Sequence, residues 1–74
     1  MSWDVIERNW RALKGKVLAE WDNLSVDAFD EIVGKHDRLI ARIQEAYGTS
    51  RQEAERQVES FEKANQDYRP PDAS

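Results

Sequence analysis

A small all-α bundle of three or four helices follows from three features of this 74-residue chain. Apolar residues recur at helical spacing through most of its length, serines stand where helices would begin, and a glycine stands where one would end. The length allows one domain, near the lower limit for a core without staples. There is no cysteine and only one histidine, His36, so no disulfide, thiolate site or multi-histidine site is expected. Stability has to come from apolar burial and local propensity. We expect residues 1–65 to form the domain and 66–74, "QDYRPPDAS" with its proline pair, to form a disordered tail dispensable for folding.

The first segment is "WDVIERNWRALKGKVLAEW". A helix turns about 100° per residue, so Trp3, Trp10 and Trp21 point within roughly 20° of one direction. Ile6, Leu13 and Val17 share that side, which predicts one helix over about 3–21. Ser2 suits its N-cap and Asp4 the positive end of its dipole. An indole stripe serves either as core or as a ligand platform. Burying an aromatic contributes about 1.5–3 kcal/mol, and so short a chain has few other sources, so the stripe is read as core. Trp3 sits in the first turn and is the ring left for a partner. Gly15 lies off the stripe, where it marks either a close neighbour or a tolerated helix glycine.

"DNLS" reads as a turn, with Ser25 capping the next helix. From Phe29 the apolar positions Ile32, Val33, Leu39, Ile40, Ile43 and Tyr47 keep phase over five turns. That permits one helix over about 26–47. A break at Gly34-Lys35 would divide it into 26–33 and 35–47, and periodicity alone leaves both open. His36 falls on the same stripe and is read as a boundary histidine. Gly48 fits a left-handed closing position. Ser50 with Glu53 forms a capping box for a last helix over about 51–65, with Ala54, Val58 and Phe61 inward. A repeat of Gly-Lys, helix, aromatic and Ser at Gly15 and Gly34 hints at two helical hairpins.

Eleven basic and fifteen acidic residues give a net charge of −4. No part of the chain is strongly basic, which weighs against phosphate-dominated nucleic-acid binding. The charged start "MSWDVIER" is neither a signal peptide nor a membrane span. Gly15-Lys16 and Gly34-Lys35 lack the remaining residues of a phosphate loop. Lys35, Arg38 and Arg42 share the outer face of their helix with Asp27, Glu31 and Glu45, and Glu31→Lys35, Glu7→Arg11 and Glu59→Lys63 are spaced as i,i+4 ion pairs. A solvated mixed-charge face is the simpler reading. The candidate interaction surface is Trp3, Lys14, Lys16, Lys35, Arg38 and Arg42. No residue set assembles into a catalytic or metal site, and no cofactor is expected.

"NWRALKGKVLAEWDNLS" followed by "IVGKHDRLIARIQEAYGTSRQEAERQV" resembles the CsbD-like family of small bacterial stress-response proteins. The likeness covers about residues 7–58. It is carried by Asn9-Trp10, Leu13 to Val17, Trp21, Leu24, Gly34-Lys35, Asp37, Leu39, Ile43 to Glu45, Tyr47-Gly48 and Glu53 to Glu55. The family pattern has Gly at Asp22, Arg at His36 and Gly at Ala41, so any family role for a basic residue at position 36 is in doubt. The resemblance implies a soluble cytoplasmic protein made under stress, without catalytic residues. It implies two packed helical hairpins of the SAM-like kind, hence four short helices and a break at Gly34. Partner expectations are a protein partner taken through an exposed apolar helix face, with nucleic acid a weaker alternative through Lys14, Lys16, Lys35, Arg38 and Arg42. No membrane is involved, and the chain is a monomer or a weak homo-oligomer.

Overall fold

The computed structural model describes residues 3–68. They form five helices: α1 (Asp4–Arg8), α2 (Lys14–Glu20), α3 (Val26–Ile32), α4 (His36–Tyr47) and α5 (Arg51–Asn65). Among the described residues there is no strand, so the all-α bundle stands, with one helix more than the four expected. The shortest dimension is 17 Å. A helix with its side chains is about 10–12 Å across, so the bundle is at most two loosely nested helical layers thick. α4 packs most extensively on α5, and α3 packs on both α4 and α2.

The first helix is not continuous over 3–21. Residues 9–13 form turns between α1 and α2. At the interruption the backbone N–H and the Nδ2 of Asn9 both donate to the Val5 carbonyl, at 3.1 and 2.8 Å. Trp10 N then donates to Glu7 O, an i→i−3 bond that tightens the chain, and Leu13 N is shared between Asn9 O at 2.9 Å and Trp10 O at 3.1 Å. Ile6, Trp10, Leu13, Val17 and Trp21 are nevertheless all buried. The apolar phase reported which side chains go inward and not whether the helix ran unbroken between them.

The second segment breaks where the hairpin reading requires. Val33 and Gly34 both adopt left-handed backbone, with φ of 51° and 75°, and Lys35 N closes the turn on Ile32 O at 2.9 Å. Phe29, Ile32, Leu39, Ile40 and Ile43 are buried as expected. Val33 and Tyr47 are corrections to the stripe, at 56% and 38% exposure, because the break swings Val33 outward and Tyr47 lies at the last turn. His36 is exposed too, as the first residue of α4 rather than a position inside a longer helix.

Local capping follows the sequence. Ser25 Oγ accepts from Ala28 N at 3.0 Å and Ser50 Oγ from Glu53 N at 3.1 Å. Gly48 closes α4 in the left-handed region, and α5 begins and ends where predicted. Nothing lies within 4 Å of the position a Gly15 Cβ would take, so this is a tolerated glycine. Ser2 lies outside the described residues, as do 69–74. The first residues of the expected tail are described. Tyr68 is partly buried against the core, and its N–H donates to Asn65 O at 3.0 Å.

Candidate functional site

The three tryptophans tie the first segment to three different parts of the molecule. Trp3 Nε1 donates to Gly34 O at 2.6 Å, and its ring meets His36 edge-on at 5.0 Å. Trp10 Nε1 donates to Phe29 O at 3.1 Å, and the two rings stack 4.6 Å apart at 8°. Trp21 Nε1 donates to Gln57 Oε1 at 2.9 Å, and its ring packs on Phe61. Trp10 and Trp21 are buried and Trp3 is partly buried. Each indole N–H has an acceptor, as a buried indole requires.

The six candidate surface residues do not meet on one face. Lys35 Nζ pairs with Glu7 at 2.7 Å beside Trp3. Arg42 pairs with Glu31 and Glu45, and Arg38 Nη1 donates to the Glu31 carbonyl. Lys16 lies over the Tyr68 ring at 5.2 Å and reaches Asn65 Oδ1. Lys14 lies over the Phe29 ring at 5.8 Å. The expected pair Glu31→Lys35 does not form, because the left-handed joint carries Lys35 across to Glu7. The expected pair Glu7→Arg11 is lost for a similar reason: α1 ends before Arg11.

That rearrangement leaves cations without carboxylates. Among the described residues, Arg8, Arg11 and Lys14 form no ion pair, whereas Lys35, Arg42, Arg51 and Arg56 all do. Lys16, Arg38 and Lys63 form no ion pair either, but Lys16 and Arg38 donate to Asn65 Oδ1 and to the Glu31 carbonyl, and none of the three lines the groove below. Arg8, Arg11 and Lys14 line one open groove of about 860 Å³ between the α1–α2 turn and α3. The edges of the Trp10–Phe29 stack form its apolar floor, and Val33 and Asp30 stand on its α3 side. Glu7 also borders it, already engaged by Lys35. Sequence reading chose Lys14 but missed Arg8 and Arg11, because a continuous first helix would have set Arg11 beside Glu7.

Val33 is the unusual part of this groove. A β-branched residue in the left-handed region costs roughly 1–2 kcal/mol, which Gly or Asn would largely avoid. Here the strained residue holds an apolar side chain in solvent at the groove edge. Val33→Asn is expected to raise stability by about 0.5–1 kcal/mol in a denaturant melt, since little burial is lost.

No family model matches the chain, and no solved structure matches it. Curated relatives do. The chain is 44% identical over 69 residues to a YjbJ protein of Escherichia coli that carries the UPF0337 name, covering 93% of this chain and 99% of that one. The chain belongs to the UPF0337 family. A UPF0337 protein of Nitrosomonas europaea is 46% identical over 61 residues, which span 82% of this chain but 65% of that longer protein. The YjbJ protein of Salmonella typhimurium is 39% identical over 65 residues. The UPF0337 name states no activity. In this UPF0337 chain, Asp22 has a structural use: its carboxylate accepts from the Tyr47 hydroxyl at 3.3 Å, while Asn23 N donates to that hydroxyl at 3.0 Å. These bonds pin the α2–α3 turn to the end of α4. Among the described residues no helix is long and apolar enough to cross a membrane, and no group of three acidic, histidine or cysteine side chains gathers to hold a metal.

Proposed function

We propose that this UPF0337 chain is a non-enzymatic, cytoplasmic stress-response protein of the CsbD-like kind, and that it acts by binding an acidic protein segment in the groove of Arg8, Arg11 and Lys14. The CsbD-like part rests on the motifs from Asn9-Trp10 to Glu53-Ala54-Glu55 and agrees with the UPF0337 relationship. The binding part rests on one observation: Arg8, Arg11 and Lys14, three cations without ion-pair partners, line one groove beside the exposed Val33 and outnumber its one unengaged acid, Asp30, in a chain of net charge −4. Unpaired cations beside the exposed Val33 side chain favour an acidic, partly apolar partner. A nucleic acid is less well served. Trp10 and Phe29 are 5% and 2% exposed, so they offer no ring face on which a base could stack, and Lys35 and Arg42 are already neutralised.

Titrating the isotopically labelled chain with hexaglutamate tests the groove. Amide shifts should concentrate at residues 8–14 and 29–33 and fade with added salt. Shifts spread evenly over the surface, or none, would overturn the binding reading. The stress role is tested separately by the abundance of the protein in stationary-phase cells, which should exceed that in growing cells.

A further inference from the structure

We infer that the groove's occupant is α5 of a second copy of this chain. The inference rests on the binding reading above and names its partner. Glu55, Glu59 and Glu62 are spaced i, i+4 and i+7 on α5, so they form one stripe along about two turns. They border a shallow depression with His36, Gln52 and Arg56, the last paired with Glu53 at 3.7 Å. Glu55 is held by Arg51 at 3.0 Å, but Glu59 and Glu62 form no ion pair among the described residues. The groove therefore carries three unpaired cations against one unpaired carboxylate, Asp30, while the α5 stripe carries two unpaired carboxylates. No α5 residue lines the groove, so a chain cannot satisfy its own cations with its own α5. A second copy can, with Glu59 and Glu62 facing Arg8 and Arg11.

The surface involved is small. Each patch is a minor part of a total accessible area of 4931 Å², which places the contact with transient encounters burying less than about 1,200 Å². Weak, salt-sensitive self-association follows. A two-fold arrangement would use both contacts at once, and a head-to-tail arrangement would continue along a row of copies.

Sedimentation velocity over a concentration series at low ionic strength tests this, with circular dichroism confirming that each variant is folded. Wild type should show a weight-average mass that rises with concentration and falls back on adding salt. The pair Arg8→Glu, Arg11→Glu should weaken association at least about tenfold, and so should the pair Glu59→Lys, Glu62→Lys, because each sets like charges together. A chain carrying all four substitutions should regain it, since the complementarity is restored with the signs exchanged. Net charge makes the opposite prediction. The four-fold variant keeps the wild-type value of −4, while the Glu59→Lys, Glu62→Lys chain is neutral and would self-associate most if only mutual repulsion mattered. Failure of the four-fold variant to recover, or strongest association in the neutral one, overturns the inference. A wild type that stays monomeric at all concentrations while hexaglutamate still shifts residues 8–14 would overturn the second copy as partner and leave the groove standing. Loss of both would overturn the groove as well.

Discussion

Trp10→Ala is expected to unfold the domain or to lower its melting temperature severely. Trp10 is 5% exposed, stacks on Phe29 and spends its indole N–H on the Phe29 carbonyl. Truncating a buried large aromatic costs about 3–5 kcal/mol. Native domains have only about 5–15 kcal/mol in total, and small ones sit toward the low end. The loss is compounded because the carbonyl of Phe29, in the middle of α3, also loses a donor. Trp10→Phe should recover part of the stacking but not the hydrogen bond, and fall between the two. A thermal melt of Trp10→Ala matching wild type would remove Trp10 from the core.

Gly34→Ala is the second large effect. Gly34 has φ of 75°, and an added Cβ would lie 3.1 Å from Glu7 Cα and 3.2 Å from both Glu7 O and Glu7 Cγ. The side-chain carbon could move aside, but the backbone of α1 could not without lifting α1 from the joint. Trp3 Nε1 donates to the carbonyl of this same residue, so a shift there also disturbs the N-terminal anchor. Positive φ alone costs an alanine about 1 kcal/mol or more. Destabilisation above that value in a denaturant melt is expected. In a continuous helix the same change would stabilise by up to about 1 kcal/mol, so the sign of the effect distinguishes the two backbones.

The sequence revealed inward-facing positions more faithfully than backbone continuity. Ser25, Gly48 and Ser50 mark their helix ends because their reasons are local: a hydroxyl reaches a free N–H, and a glycine tolerates positive φ. The 9–13 interruption was not visible. Its apolar residues keep helical phase through the turns, so periodicity carries no trace of it. That one miss propagated to the site. With residues 3–21 read as a straight helix, Arg11 had a carboxylate four residues back, and the candidate cations were Lys14, Lys16, Lys35, Arg38 and Arg42. The long-range pair between Glu7 and Lys35 exists only after both segments break and fold together. Which cations are left unpaired is therefore a property of tertiary structure. Val33 was misplaced for the same kind of reason, since its apolar character fitted the stripe while its backbone left the helix.

Hexaglutamate binding to two neutralised variants tests the groove most directly. One carries Arg8→Gln, Arg11→Gln and Lys14→Gln, and the other Lys35→Gln, Arg38→Gln and Arg42→Gln. Both remove three positive charges, so bulk charge is matched. The groove assignment predicts that the first variant loses binding and the second, whose cations are engaged within the protein, retains it. Loss in the second with retention in the first would contradict it.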